Sequence, residues 1–466
     1  MDGLECTEIR IRDIREKTYD FRIESEYYKK TDMAILEQLH AVHCDTLKRR
    51  SETITDGTHF TPNYVEQGVP FLSAVNVRAN HLDIGAGYKM ITPSEHKMLC
   101  RRVHPTQSDV LLRKVGVGAR FACVVPQLDF DFSIFVSVAL IRTRLNPYYL
   151  SSFINSKYGQ RQLLRFNKGI SQPDLHLEDI GRLLVPLFSV QTTEALERSY
   201  LQAQALREQS EALYESAGSK LLFELSFEQA AFSRKGVTEK RLSESFGLSG
   251  RLDAEYYQPK YDDLFALLSR LTTKPLGDIT TISKSIEPGS EYYGSEGIPF
   301  IRVSDVSAMG IEAPTIKIPK NVVPSIETLY PKKDTILFSK DGSVGIAYKM
   351  EADMEAVTSG ALLHLHVKNT DEVLPDYLTL VLNSEIVRLQ AERDASGAII
   401  QHWKPGDIAA VTIPLLPYEI QAEIAQKVQE SFALRRQSEA LIEKAVRAVE
   451  IAIEEDESAA VAWLGK

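Results

Sequence analysis

The chain has 466 residues, of which 44% are hydrophobic and 25% are charged. This length is too great for one ordinary hydrophobic core, so we expect at least two domains, and the composition is that of a globular protein. The net charge of −10 at first argues against a nucleic-acid binder. Two segments, 191–224 with net charge −3 and 418–457 with net charge −5, hold most of that acidity, so a basic surface elsewhere is not excluded.

The cell compartment is read from the N-terminus and from cysteine usage. Residues 1–5 show no basic stretch followed by an apolar core, so we expect no secretory signal. The most apolar run, 132–141, is too short to span a bilayer and predicts a buried strand. The cysteines form no CxxC pair, which argues against a zinc ribbon or a disulfide framework and favours a cytoplasmic protein without a metal. They are Cys6, Cys44, Cys100 and Cys123.

Each half of the chain shows the same predicted elements in the same order. A region rich in glycine and in strand-forming residues comes first and includes strands at 109–112 and 334–337. A short helical pattern follows, at 148–166 in one half and at 377–393 in the other. A closing strand comes next, and each half then ends in a long helical pattern.

This order recurs because the sequence itself is duplicated. Six segments recur at an offset of 228 or 229: 26–28 as 255–257, 68–72 as 297–301, 147–150 as 375–378, 155–156 as 383–384, 179–186 as 407–414 and 209–213 as 437–441. A near-constant offset over so many matches is not expected by chance. A period this long indicates two copies of a whole domain and its following helix, not a solenoid repeat.

The two long helical patterns carry a narrow apolar seam whose members are three and four residues apart, which is typical of a coiled coil. The remaining faces are highly charged, which favours antiparallel pairing of the two helices. The alternative is that each helix packs only on its own domain. The seam residues that we expect at a subunit interface are Leu196, Leu206, Leu213, Ile424, Leu434 and Leu441.

The chain resembles the specificity subunit (HsdS) of Type I restriction–modification systems, and the second copy carries the closer likeness. Residues 297–302, Gly-Ile-Pro-Phe-Ile-Arg, are similar to the "GIPFIR" strand of that family, and residues 339–345 are similar to its glycine turn. Residues 413–424 look like its entry into the conserved helix. The first copy departs more, with Arg-Lys-Val-Gly-Val-Gly at the turn, 113–118. The resemblance covers residues 20–456.

The resemblance implies an α/β protein with two tandem homologous target-recognition domains, separated by two long helices that form an antiparallel coiled coil. It also implies a non-catalytic subunit that needs no cofactor and reads an asymmetric bipartite site in double-stranded DNA. Methyltransferase (M) subunits and restriction (R) subunits would then methylate adenine and cleave DNA, with no membrane involved. The expected parts are a first target-recognition domain with a leading helix (1–187), a spacer helix (188–225), a linker (226–252), a second target-recognition domain (253–416), a second spacer helix (417–457) and a tail (458–466).

Basic and hydroxyl side chains around the glycine turns are the candidates for DNA contact. Arginine and lysine bind phosphates, and arginine can also read guanine. The turns themselves are consistent with ordinary hairpins, since glycine readily supplies a positive φ. Trp403, beside these turns, is more commonly a core residue than a stacking residue. The candidates are Arg113, Lys114, Arg120, Lys168, Arg302, Ser339, Lys340 and Lys404.

Three segments resemble catalytic or cofactor-binding motifs, but each of them is incomplete. Residues 146–149, Asn-Pro-Tyr-Tyr, lack the second proline of an adenine-methyltransferase signature, and residues 83–87 lack the next glycine of a dinucleotide turn. His364 and His366 have no evident third metal ligand. Two alternatives stay open: a specificity subunit of a methylation-only or other DNA-modification defence system, and a protein-interaction scaffold without a DNA role.

Overall fold

The structure is a computed structural model that describes residues 8–17, 21–85, 87–116, 118–168, 173–228, 230, 232–233, 237–322, 324–397 and 400–465. Cys6 lies outside these residues, and the other three cysteines are free. The chain forms two compact units, a first unit of Met1–Arg207 with Arg436–Lys466 and a second unit of Glu208–Arg435. Both boundaries fall inside the long helices, so each unit contains a part of each of them.

Helices and strands both contribute to each unit, so the fold is a mixed helix and sheet fold. The helices are α1 (Ile11–Lys17), α2 (Lys30–Ala41), α3 (Pro93–Leu99), α4 (Pro147–Asn155), α5 (Lys157–Phe166), α6 (Leu177–Gly181), α7 (Val190–Glu224), α8 (Phe246–Ser249), α9 (Pro259–Leu268), α10 (Leu276–Ile279), α11 (Pro375–Leu382), α12 (Glu385–Asp394), α13 (Pro405–Ala409), α14 (Tyr418–Glu454) and α15 (Glu457–Gly465).

The strands divide between the units. The first unit contains β1 (Cys44–Thr46), β2 (Ser51–Asp56), β3 (Tyr64–Val65), β4 (Val69–Leu72), β5 (Val77–Arg78), β6 (His81–Leu82), β7 (Lys89–Ile91), β8 (Val110–Arg113), β9 (Ala122–Val124), β10 (Ser133–Ile134), β11 (Val138–Thr143) and β12 (Leu184–Pro186). The second unit contains β13 (Thr273–Pro275), β14 (Thr280–Lys284), β15 (Ile298–Ile301), β16 (Val306–Ser307), β17 (Gly310–Ile311), β18 (Lys317–Ile318), β19 (Ile336–Ser339), β20 (Asp341–Gly342), β21 (Ala347–Lys349), β22 (Val357–Thr358), β23 (Leu362–Val367), β24 (Gln401–His402) and β25 (Thr412–Pro414).

The two units share one sheet topology. The first has a four-stranded antiparallel sheet in the order β2-β11-β8-β9, and the second has the same arrangement in β14-β23-β19-β21. The parallel pair β4-β10 recurs as β15-β22, and the antiparallel pair β1-β12 recurs as β13-β25. Strand order therefore follows the sequence repeat.

The central sheet of the first unit has a hydrophobic cluster on each face, because successive side chains of a strand point to opposite sides. In β11, Ala139 and Ile141 belong to one cluster, whereas Val138 and Leu140 belong to the other. Helix α4 packs in the first of these clusters. It begins at a proline, and the side chain of Asn146 accepts hydrogen bonds from the amides of Tyr148 and Tyr149, which satisfies exposed donors of its first turn.

In the first unit, the early part of α7 packs on the late part of α14. Leu196 and Tyr200 share a buried cluster with Ala445 and Val449. The Ser438 hydroxyl donates to the carbonyl oxygen of Ala203 at 2.6 Å. Residue numbers rise along one helix and fall along the other, so these two segments run antiparallel.

In the second unit, the late part of α7 packs on the early part of α14. Leu221 shares a buried cluster with Ile424, and the Ser431 hydroxyl donates to the carbonyl oxygen of Ser210 at 2.7 Å. Lys220 and Glu423 form an ion pair at 2.7 Å between Nζ and Oε2. These segments are also antiparallel.

Two of the six predicted seam residues, Leu196 and Ile424, belong to the buried clusters that contain both long helices. Leu196 and Ile424 are fully buried, whereas the other four are half-buried: Leu206, Leu213, Leu434 and Leu441. The predicted helix bounds, 188–225 and 417–457, lie close to Val190–Glu224 and Tyr418–Glu454. The segment 458–466, expected as a tail, is helical in α15 as far as residue 465. Across the described residues, no helix has the length and apolar character needed to cross a membrane.

Candidate nucleic-acid interface

Most of the predicted DNA-contact residues converge on one pair of loops in each unit. The first loop pair consists of residues 113–121, after β8, and residues 167–175, after α5, and residues 117 and 169–172 lie outside the described part of the chain. The Gly116 amide donates to the carbonyl oxygen of Pro173 at 3.1 Å, and the Leu175 amide donates to that of Lys114 at 3.1 Å. The two loops therefore form one structural element.

Arg120 joins the two loops from the inside. Its side chain is fully buried and donates from Nη2 to the Asn167 Oδ1 atom at 2.7 Å and to the Pro173 carbonyl oxygen at 3.0 Å. Burial, together with the nearby charge of Arg113, lowers the pKa of Arg120 to about 10, which still leaves it charged at neutral pH.

Lys114 is also turned inward. It is 5% exposed, and its Nζ atom lies 3.1 Å from an Asp56 oxygen and 3.5 Å from an Asp174 oxygen. Asp56 accepts a further hydrogen bond from Arg102, at 2.8 Å. A buried lysine paired in this way anchors the loop, because separating it from its carboxylates would leave unpaired buried charges.

Arg113 and Lys168 remain closer to the surface of the first loop pair, and both are half-buried. The Arg113 side chain lies over Gly116, whose φ is +118°, and a Cβ atom at that position would lie 3.1 Å from Nη2. Only glycine accepts both this backbone conformation and this close approach without strain. The Lys168 Nζ atom lies 3.2 Å from an Asp179 oxygen.

The second loop pair, residues 339–346 and 395–404, occupies the equivalent place in the second unit, and residues 398–399 lie outside the described part. Two glycines with positive φ, Gly342 and Gly345, shape the first of these loops. The Ser339 hydroxyl is buried, donates to the carbonyl oxygen of Ser343 at 2.6 Å and accepts from the amide of Ile346 at 2.8 Å. Ser339 therefore closes the turn.

Asp341 connects the two loops of this second pair. It pairs with Lys340 on one side and with the His402 Nδ1 atom, at 2.8 Å, on the other. Burial would raise the pKa of Asp341, but hydrogen bonds from Lys340 and His402 outweigh it and hold that pKa below its ordinary value. Lys340 is half-buried and Lys404 is exposed.

Arg302 lies outside the loop pairs, whereas Trp403 lies within the second loop pair but is buried. Trp403 is 1% exposed and packs on Phe338 with ring centroids 5.7 Å apart, so it is a core residue, as the sequence favoured. Arg302 follows β15, where it pairs with Asp305 at 3.3 Å. It is half-buried there and is not part of the loop pair.

Burial changes the roles that we assign to three candidates. Arg120, Lys114 and Ser339 are held inside the protein, where they support the loops. Their contact with DNA stays a prediction. Surface positions remain for Arg113, Lys168, Arg302, Lys340 and Lys404.

Sequence reasoning missed the polar partners that hold the loops together. Asn167, Asp174 and His402 make the loop-to-loop contacts described above, and Asp56 comes from a distant strand. The only sequence signal for Asn167, Asp174 and His402 is that they lie in the second loop of their pair. Asp56 has no such signal, because it lies in a distant strand. Among the described residues, no three His, Cys, Asp or Glu side chains are placed to hold a metal ion.

The chain was compared with known proteins. A family model described as "Type I restriction modification DNA specificity domain" matches residues 269–444. No curated protein matches. Among solved structures, the S subunit of a Type I restriction–modification system from M. genitalium is 14% identical, with 91% of this chain and 95% of that chain covered and a TM-score of 0.34.

Two further solved chains are similar in the same range. The HsdS subunit from Thermoanaerobacter tengcongensis is 17% identical, with 89% of this chain and 97% of that chain covered and a TM-score of 0.28. A chain from a study of assembly and conformational transition of the type I R-M system is 17% identical, with coverages of 91% and 96% and a TM-score of 0.28. The family match covers the β-rich part of the second unit and its loop pair. Residues 269–444 are therefore similar to Type I restriction modification DNA specificity domains.

Proposed function

We propose that the chain is the DNA sequence-recognition subunit of a Type I restriction–modification complex. In this proposal it reads an asymmetric bipartite site in double-stranded DNA and positions the subunits that carry out the chemistry. The observation that carries the proposal is that an equivalent loop pair occurs once in each unit, on the same sheet topology, and that the family match includes one of the two.

The side chains of the two loop pairs differ, which supports reading of two different half-sites. The first loop pair presents Arg113 and Lys168, and its two loops are joined inside by the hydrogen bond from Arg120 to Asn167. The second presents Lys340 and Lys404, with a carboxylate–histidine brace between Asp341 and His402. Base readout depends on which donors reach the groove, so unlike loops on like scaffolds would select unlike sequences.

We assign the long helices α7 and α14 to an antiparallel coiled coil that spaces two target-recognition domains, 1–187 and 253–416, and docks the partners. Antiparallel packing of their segments within each unit supports this assignment. The partners would be methyltransferase subunits that methylate adenine and restriction subunits that cleave DNA. The chain itself would be non-catalytic and act in the cytoplasm.

The proposal is tested on the chain assembled with its methyltransferase subunits. Mapping methylated adenines in the source genome, with and without this gene, identifies the bipartite site. Binding to duplexes with either half-site scrambled is then measured for Arg113→Ala and Lys340→Ala. We expect each variant to change binding at one half-site only, Arg113→Ala at the first and Lys340→Ala at the second.

The size and salt dependence of each effect identify the contact. A lost base contact should reduce discrimination at that half-site by about 1–3 kcal/mol, whereas a lost phosphate contact should weaken binding to all sequences and lower the salt slope by about one. Arg270→Ala, at an exposed arginine that follows α9, controls for the loss of one charge. If the wild-type assembly shows no salt-dependent DNA binding, the chain is a protein-interaction scaffold and the proposal fails.

A further inference from the structure

Two arginines contact the ring of one tyrosine at the start of the β-rich part of the first unit. The guanidinium carbon of Arg22 lies 4.8 Å from the ring centroid of Tyr27, and that of Arg165 lies 3.6 Å from it. The Arg165 Nε atom donates to the Tyr27 carbonyl oxygen at 2.6 Å, and the Tyr28 hydroxyl donates to the Arg22 carbonyl oxygen at 2.7 Å. We call Arg22, Tyr27, Tyr28 and Arg165 the first clamp.

The same arrangement occurs in the second unit. Arg251 and Arg393 lie 4.4 Å and 5.1 Å from the ring centroid of Tyr256, and the Tyr257 hydroxyl donates to the Arg251 carbonyl oxygen at 3.0 Å. These four residues, the second clamp, stand at the repeat offset of 228 or 229 from the first. The duplication has therefore kept the arginine–ring contacts and the hydroxyl-to-carbonyl hydrogen bond, whereas Arg393 pairs with the Asp394 side chain.

Each clamp is tied to the end of one short helix. Arg22 is oriented by Glu24, whose Oε2 atom lies 2.9 Å from its Nε, and its Nη2 donates to the Asn167 carbonyl oxygen at 3.3 Å. Arg251 is oriented by Asp253 and donates from Nη1 to the Asp394 carbonyl oxygen at 3.2 Å. Asn167 follows α5, and Asp394 is the last residue of α12. The second loop of each loop pair starts at these points.

In the first unit the connection continues across both loops. The Asn167 carbonyl oxygen accepts from the clamp, while its side-chain oxygen accepts from Arg120, which also binds Pro173 at the far end of the loop. One residue therefore links the clamp to the first loop pair. In the second unit the equivalent position is Ala395, and the brace between Asp341 and His402 joins the loops instead.

We infer that the two clamps are positioning elements for DNA readout, each setting the geometry of one loop pair and hence discrimination at one half-site. The inference deepens the proposed function and rests on it. Arg22, Arg165 and Arg251 each lie over the ring and donate to a carbonyl oxygen at the same time. The planar fork of arginine allows both contacts, which a lysine ammonium cannot reproduce.

Substitution by lysine tests this while retaining the charge. In the assembled complex, Arg22→Lys should reduce discrimination at the first half-site about tenfold, the order of one lost stacking contact, and leave the second half-site unchanged. Arg251→Lys should reduce discrimination at the second half-site and leave the first half-site unchanged. Arg270→Lys, at an exposed arginine that follows α9, is the matched control and should change neither.

A purely structural role predicts a different pattern. If Arg22→Lys lowers the melting temperature but the folded protein keeps wild-type discrimination, the clamp only stabilises the unit and the inference is wrong. Equal loss at both half-sites would also overturn it. Tyr28→Phe removes one hydroxyl with little loss of volume and serves as the milder variant should Arg22→Lys fold poorly.

Amide hydrogen exchange separates this inference from the proposed function, because it needs no DNA. Arg22→Lys should speed exchange in residues 173–175 and leave residues 400–403 unchanged, and Arg251→Lys should do the reverse. Unchanged exchange in both variants overturns the inference even if DNA binding is sequence-selective. Absence of selective binding by the wild-type complex overturns the proposed function, whatever exchange shows.

Discussion

The hydroxyl of Ser438 on α14 donates to the backbone carbonyl oxygen of Ala203 on α7 at 2.6 Å, so the two helices approach closely at this point of the first unit. Ser438 is 1% exposed, and Ala203 is fully buried. Small side chains on both sides make this approach possible, since a larger side chain would occupy the space that the opposite backbone fills.

We therefore expect Ser438→Leu to lower the free energy of unfolding by about 1–3 kcal/mol through overpacking. Ser438→Ala, which loses only the hydrogen bond, should cost about 1 kcal/mol. Denaturant unfolding of the purified chain measures both. Ala440→Leu on the exposed face of the same helix is the control, and a Ser438→Leu variant as stable as that control would contradict close packing.

The second unit also contains a buried lysine that is paired with carboxylates. The Lys349 Nζ atom lies 3.0 Å from an Asp376 oxygen and 3.1 Å from a Glu351 oxygen, and Lys349 is 7% exposed. Removing one partner leaves a buried charge, so Lys349→Val should cost about 3–5 kcal/mol in the free energy of unfolding.

The first unit supplies the matched replacement for this pair. Val124 has the strand register in β9 that Lys349 has in β21, and Tyr148 stands at the repeat offset of 228 from Asp376. The double variant Lys349→Val with Asp376→Tyr should recover part of the stability that Lys349→Val loses. Chemical denaturation at constant pH measures this. A double variant less stable than the single one would show that the surrounding packing of the two units differs too far for the exchange.

His364 should make the second unit sensitive to acid. Burial, helped by the charge of His366, lowers the pKa of His364 to about 4, and its Nε2 atom lies 2.8 Å from the Thr358 hydroxyl. An unfolded histidine has a pKa of about 6.5, so stability is fully present above that pH and falls as the pH drops toward 4. The free energy of unfolding should fall by about 3 kcal/mol, because His364 binds a proton in the unfolded chain and stays neutral in the folded unit over this pH range.

Unfolding measured between pH 7 and pH 4 tests this expectation, and the difference between wild type and His364→Gln isolates the histidine. The variant should show a shallower loss of stability over that range. His176→Gln, an exposed histidine of the first unit, is the control and should follow the wild-type profile. Identical profiles for wild type and His364→Gln would show that His364 does not resist protonation.

If α7 and α14 space the two half-sites as proposed, lengthening both should move the half-sites apart. One heptad inserted near Gln209 and another near Gln437 keeps the seam in register and adds about 10 Å. The preferred gap between half-sites should then grow by about three base pairs. Binding to duplexes whose spacer varies base by base measures the optimum, and an optimum that stays at the wild-type gap in a folded complex would falsify the spacer role.

The sequence by itself determined the repeated architecture. The near-constant offset predicted two copies of one domain, and matching strand orders appear in the two units. The seam pattern predicted two long helices, which are Val190–Glu224 and Tyr418–Glu454 in the structure. Such features are visible in one dimension because duplication and helical periodicity are relations between residues at fixed separations along the chain.

Only the tertiary structure decided which basic residues face outward. Arg120 and Lys114 look like surface cations in the sequence, yet both are buried, because Asn167 and Asp56 reach them from elements far away in the chain. In the same way, the end of α14 joins the first unit through contacts with α7. A charge can be buried only where a partner compensates its lost hydration, and the position of that partner is set by packing of distant segments, not by local sequence.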